Sequence, residues 1–169
     1  MTEVPSKGGS QIAKLPLAAA LVALVGLADS IYLTIHHYTA EAVPCSLIEG
    51  CEMVLTSPYA TLGGMIAAAT GKVVFDPTSF AGNFPLAAMG AVSYFLVFLL
   101  ALMSAFGNSV AKKLFGALVV LMAIFTGYLL YVQGALIGYF CQFCLLSAAT
   151  TFTLLGILLA SFFTAKKGA

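Results

Sequence analysis

The sequence predicts an all-α membrane protein: a bundle of four transmembrane helices, with a long extracytoplasmic loop carrying an interfacial helix between the first and second. Three observations lead there. Of the 169 residues, 62% are hydrophobic and only 8% are charged, too little charge to cover the surface of a soluble domain. The mean hydropathy of +1.07 is concentrated in stretches long enough to cross a hydrocarbon core, which takes about 20 residues. The lysines fall in alternate segments between those stretches. A net charge of +1 argues against nucleic acid as a partner, since it supplies no basic surface.

Residues 1–14 form a polar, Gly- and Ser-containing cytoplasmic tail, expected to be disordered. Residues 15–169 read as a single membrane domain. The first span is 15–38: its start is purely apolar, and Asp29, Ser30, His36 and His37 lie in its second half. A lysine, an apolar run and "GLADS" would also suit a cleaved signal peptide. Apolar character resumes in "IYLTI", however, and loss of this span would leave three helices and a mismatched charge pattern. Residues 39–83 form the long outer loop. Its middle, "YATLGGMIAAATG", is apolar but too short and too rich in Gly and Ala to span, which suits an interfacial half-helix. "DPTSFAGN" reads as loop. The second span is 84–106, with Pro85 tolerated in its first turn, and Gly107–Asn108 breaks it. The third runs from 114 to about 133 or 137, where Gly138 marks its end. The fourth is 140–163, closed by "AKKGA". The phenylalanines and methionines are read as core.

Four spans place both termini on one side. Lys7, Lys14, Lys112, Lys113, Lys166 and Lys167 all fall in the termini or the 107–113 turn, while the outer loop holds only Lys72, with Glu41, Glu49, Glu52 and Asp76. Short lysine-rich segments stay cytoplasmic. Both termini are therefore expected inside, and the outer loop and the turn before Cys141 outside.

Four cysteines make two close pairs: Cys45 and Cys51, separated by "SLIEG", and Cys141 and Cys144 in "GYFCQFCLLSA". The topology puts both pairs on the outer face, within reach of each other, where disulfides persist. Cys141 and Cys144, three apart at a helix start, share one face, with Cys144 about 4.5 Å deeper. A helix N-terminus favours thiolate, and a low thiol pKa makes a good leaving group and a reversible disulfide. A redox pair uses these properties. Two other readings remain open, both of a non-enzymatic membrane protein: four sulfurs of a structural zinc site, or two static disulfides, although a CxxC bridge closes too small a loop to stabilise much. No Gly-rich phosphate loop follows a strand, and no His follows the CxxC as in a haem attachment motif. A helix bundle with aromatic and methionine side chains can hold a flat apolar cofactor, and a quinone would reach it laterally from the bilayer.

Asp29 is the acidic residue within a span, a costly placement that usually marks function. It is a candidate to accept protons released by thiol oxidation or to bond a quinone; the alternative is an Asp bonded to neighbouring Ser, Thr or Tyr, or wetted near the outer interface. His36 and His37 read as interfacial, and two adjacent histidines do not share a helix face for one metal. Tyr94 and Tyr131 fit packing or anchoring as well as a cofactor role.

"YLTIHHY…PCSLIEGCEMVLTSPYA", then "FPLAAMGAVSYF", then "CQFC" opening the last helix together resemble the vitamin K epoxide reductase family, in its bacterial branch, over about residues 26–155. The resemblance implies a thiol relay. Cys45 would exchange with an external partner. Cys51 would pass the exchange inward by a transient disulfide with Cys141, and Cys144 would complete the CxxC disulfide and face the quinone. Ser57 matches the serine near the quinone head group, where its hydroxyl would donate to a quinone oxygen; capping the helix that begins near Pro58 is the alternative. The implied acceptor is ubiquinone or menaquinone, and the implied setting is a bacterial inner membrane. The implied partner is a thioredoxin-like thiol oxidase, often fused. This chain ends at Ala169 without that domain, so a separate periplasmic or extracellular oxidase is expected.

Two departures from the family pattern stand out. The stretch between Ser57 and Pro85 is longer than the bacterial pattern. The animal enzymes place an asparagine and a tyrosine on the ketone oxygens, whereas here Asn83 is only near the first position and Ala148 stands where the tyrosine would lie. Quinone reduction, rather than vitamin K epoxide reduction, is the expected activity. The other four-helix family of disulfide-generating quinone reductases would carry its CxxC before the second helix and an arginine near the quinone; this chain has no arginine.

Overall fold

A computed structural model describes residues 7–39, 43, 45, 50–76 and 79–167. Residues 1–6 of the tail, and Glu41 and Glu49 of the outer loop, lie outside the described residues, as do the side chains of Lys7, Lys166 and Lys167. The elements in chain order are α1 (Lys7–Thr39), α2 (Cys51–Leu55), a 3₁₀ turn (Pro58–Ala60), α3 (Leu62–Thr70), α4 (Leu86–Ala105), α5 (Ser109–Tyr131) continuing as a π-helix (Val132–Ile137), and α6 (Gln142–Lys167). Among the described residues the one β feature is an isolated bridge between Thr61 and Pro85.

Four helices are long and apolar enough to cross a membrane: Lys14–Thr39 (26 residues), Leu86–Ala105 (20), Ser109–Ile137 (29) and Gln142–Thr164 (23). The four expected spans are all present, with shifted ends. Helix α1 begins at Lys7, so residues 7–14 extend it instead of forming a disordered tail. Helix α5 starts at Ser109 rather than 114, because Asn108 caps it: its Oδ1 accepts from the backbone N–H groups of Val110 and Ala111 at 3.0 and 3.1 Å, satisfying donors that a helix start otherwise leaves free. The preceding turn is tight enough to need Gly107 at φ +86°.

In the bundle, α1 packs on α4 and α6, and α5 closes the ring between α4 and α6. Small residues face inward. Ala19, Ala20 and Ala23 of α1 are buried, while Leu21 of the same helix is 62% exposed, Ile124 of α5 is 68% and Phe163 of α6 is 69%. Phe95, Phe152, Phe162 and Met103 also face outward, contrary to their reading as core. The reason is the solvent. Lipid is as apolar as a protein interior, so large side chains gain nothing by turning in, and small ones let the backbones approach. Gly26 on α1 lies so close to the ring of Tyr94 on α4 that a side chain at 26 would collide with it, and Gly90 on α4 rests against Ser30.

The outer loop is tied to the start of α4. Leu62 N–H donates to the Phe84 carbonyl at 2.9 Å and Gly63 N–H to that of Gly82 at 3.2 Å. Thr61 Oγ1 caps α3 by accepting from Gly64 N–H at 3.2 Å, and Gly71, at φ +68°, ends it. The short helix expected within 59–71 is therefore α3.

Candidate redox site

At one end of the bundle, α2 brings the first cysteine pair down onto the second. Cys51 opens α2 and is joined to Cys45 in a disulfide, with Cα atoms 6.2 Å apart. Cys141 and Cys144 are free thiols. Cys51 and Cys141 are 1% and 0% exposed and pack with Val54 in one cluster, against which Cys45, Cys144, Ile137 and Phe143 are partly buried. All four predicted cysteines are thus brought together. Joined as a disulfide, Cys45 and Cys51 offer no thiolates to a four-sulfur zinc site.

Two contacts hold this junction. Gly50, just before α2, sits against the chain entering α6: a Cβ there would lie 2.6 Å from the Phe140 carbonyl oxygen. On the α1 side, Tyr32 meets Phe143 with ring centroids 5.0 Å apart, and His36 at 4.4 Å.

Cys141 lies one residue ahead of the membrane-spanning part of α6. Its thiol is lowered from 9.0 to about 7, chiefly by a hydrogen bond with the Cys144 side chain. Burial opposes the shift, and the backbone N–H groups of Cys144 and Phe143 add to it. A lowered thiol was expected at a helix start; the neighbouring thiol is its main cause.

Beside the inner pair lies a cavity of about 330 Å³. Its wall draws on every long helix, with Leu33 from α1, Leu86 and Met89 from α4, Leu121 and Phe125 from α5, and Ala148 from α6, and on the outer loop through Val54 and Tyr59. Of the four cysteines, Cys144 is on this wall and the other three are not.

Ser57 is on the wall, and its hydroxyl donates to the Val54 carbonyl at 2.7 Å. It makes no side-chain cap for the Pro58–Ala60 turn, so the capping alternative is not what holds it. Asp29 is 7% exposed, and neither carboxylate oxygen has a hydrogen-bond partner; the alternative of a bond to a neighbouring Ser, Thr or Tyr is not realised. It is Ser30, and not Asp29, that reaches the cavity, as does His37. Tyr131 is exposed and away from the wall. Tyr94 is on it, with its ring buried and its hydroxyl tied to α6: it donates to the Ser147 carbonyl at 2.7 Å and meets the Thr150 and Thr151 hydroxyls at 2.8 and 2.7 Å.

Gln133, at the expected end of the third span, is a functional candidate that sequence reasoning misses. It is 5% exposed, lines the cavity, and its Oε1 accepts from the Cys141 backbone N–H at 3.2 Å. The available signal was an amide inside an apolar span, a placement that needs a partner.

A sequence model of the vitamin K epoxide reductase family matches residues 17–159. No curated protein matches the chain.

Proposed function

The chain belongs to the vitamin K epoxide reductase family of membrane disulfide oxidoreductases, and from that premise we propose that it reoxidises a thioredoxin-like thiol oxidase and delivers the electrons to a membrane quinone. The observation that carries this reading is the division of labour among the cysteines. Cys51 and Cys141 share one buried cluster, and Cys144 alone of the four meets the cavity.

The relay balances without any other reactant. A thiolate of the partner attacks Cys45, the Cys45–Cys51 bond breaks, and the partner's second thiol resolves the mixed disulfide, leaving the partner oxidised and the outer pair reduced. Cys51 then attacks Cys141 of an inner disulfide. Cys144 leaves with the electron pair, and Cys45 resolves the Cys51–Cys141 bond. The outer disulfide is restored and the inner pair holds two thiols, the pairing seen here. A quinone held in the cavity supplies the acceptor for those two electrons and the two thiol protons, leaving as the quinol.

The residues present fit such a molecule. The volume lies in the range of small-molecule sites, and the wall is mostly apolar with a few hydroxyls, as such sites are. Met89 of α4 and Leu121 of α5 are both on the wall and exposed on the bundle surface, which supports lateral entry from lipid between those helices. Ser57 would contact the head group, and donating to a quinone oxygen requires its hydroxyl to turn away from Val54. Asp29 serves better as a proton acceptor behind the wall than as a direct ligand. The lysine asymmetry supports termini inside and cysteines outside, and the resemblance to the bacterial branch supports a bacterial inner membrane.

The test is a Cys144→Ala variant assayed for quinone reduction with a reduced thioredoxin-like donor. Mixed disulfides at Cys45 should still form while quinone reduction is lost. Continued electron flow to quinone in that variant would overturn the mechanism.

A further inference from the structure

We propose that His37 supplies a proton to the quinone site, giving it from its ring to a head-group oxygen and regaining one from solvent. This rests on the quinone-reducing reading of the cavity and extends it from the electrons to the protons.

Three residues of α1 line the cavity: Ser30, Leu33 and His37. They stand at i, i+3 and i+7, a spacing that puts them on one face of the helix. His37 is about 10 Å along the axis from Ser30, close to the end of α1 at Thr39. Its side chain is half-buried, with one side on the cavity and another outside it. Its neighbour is turned away: His36 packs on the Tyr32 ring and is not on the wall.

The chemistry of the wall singles His37 out. Among the described residues that form it there is no aspartate, glutamate or lysine. The hydroxyls and the amide of the wall donate hydrogen bonds, and several are already engaged. The Tyr94 hydroxyl is tied to α6, and Ser93 Oγ donates to the Met89 carbonyl at 2.9 Å. Imidazole differs from them in that it both gives and takes a proton near neutral pH.

The proton balance calls for such a group. Reducing a quinone to the quinol takes two electrons and two protons. The electrons leave the inner pair as the Cys141–Cys144 disulfide forms. Cys144, on the wall, passes its thiol proton directly into the cavity. Cys141 is off the wall, and its thiol, lowered to about 7, has already lost its proton to solvent in much of the population at neutral pH. The cavity then receives one proton from the pair and needs a second. His37 gives that proton and takes another from solvent in place of the one Cys141 released. Two thiols and one quinone become one disulfide and one quinol, with no further reactant.

The experiment uses the full chain in detergent, with a small dithiol as donor and short-chain ubiquinone or menaquinone as acceptor. His37→Gln keeps an N–H donor but cannot carry a proton. It should lower the saturating rate by about a hundredfold, the scale of general acid catalysis, and leave the half-saturating quinone concentration unchanged. His37→Ala should lose the rate likewise and regain part of it when imidazole is added. A binding readout stands apart from turnover. The chain has two histidines, so the NMR ring signals of the histidine-labelled protein are assigned with the His37→Gln variant, and those of His37 should shift when quinone is added. A wild-type saturating rate in His37→Gln, or His37 signals that do not move with quinone while the wild type still reduces it, overturns the inference and leaves the relay standing. A wild-type chain that reduces neither quinone overturns the reading of the cavity itself.

Discussion

The two cysteine pairs share one cluster but are held by different kinds of structure. The outer pair sits at the start of a five-residue helix, α2, with a partly exposed member, Cys45. The inner pair sits at the head of a 26-residue helix, anchored by Gln133, and Cys141 is fully buried. The contrast separates two tasks. A thiol that exchanges with a soluble partner has to be approachable, whereas a thiol that meets a lipid-soluble acceptor has to be held at a fixed cavity and shielded from other thiols. In the proposed relay, Cys51 and Cys141, the buried members, would be the join between them.

The sharpest way to break this comparison is to remove the join. Cys51→Ala should strand Cys45 in a mixed disulfide with the partner and lower turnover by about a hundredfold or more, the scale of losing a covalent catalytic group. The trapped species is read on a non-reducing gel. A partner that still cycles at the wild-type rate would show that the outer pair does not need its buried member.

A smaller effect is expected from displacing the join while keeping all four sulfurs. Gly50→Val places side-chain atoms where the Phe140 carbonyl now sits. It should slow transfer between the pairs by about tenfold to a hundredfold, since misplacement by about 1 Å carries that cost. The Cys45–Cys51 disulfide should still form, as alkylation mapping would show.

The pH dependence sharpens the comparison from the inner side. With the Cys141 thiol at about 7, its thiolate fraction is nearly complete above that pH and falls tenfold per unit below it. Oxidation of the reduced inner pair by a small disulfide should therefore rise with pH up to about 7 and then level off. A rate that keeps rising through pH 9 would show an ordinary thiol.

The smallest effect is expected from Tyr94→Phe. The ring remains against Gly26, but the bonds to Ser147, Thr150 and Thr151 go, costing about 1–3 kcal/mol as buried hydroxyls lose a partner. Thermal unfolding in detergent should show this loss while disulfide exchange between the cysteine pairs is unaffected, placing Tyr94 with the scaffold of the cavity.

Much of this was legible in advance, for physical reasons that differ by residue. The spans were legible because crossing lipid demands long apolar runs, and the cysteine pairs because reactive sulfur is sparse and their spacing is local. Helix ends were less so: α5 starts early because the Asn108 side chain reaches forward to two N–H groups, which composition does not record. The outward phenylalanines and methionines went against a rule taken from water-soluble cores. Gln133 marked only the approximate end of a span, since its partner, the Cys141 N–H, comes within reach only after the π-helical turn and Gly138 reverse the chain.

The sequence by itself determined how many helices cross the membrane, how the lysines divide the loops and which sulfurs are available. Those follow from transfer free energy and charge summed along the chain. Only the tertiary structure decided that Cys144 meets the cavity while Cys141 meets Cys51, that Ser30 rather than Asp29 reaches the wall, and that Gln133 reaches the Cys141 N–H. Each depends on how a helix is rotated about its own axis against three others. A helix that is apolar on every side carries no periodic signal of that rotation; packing alone sets it.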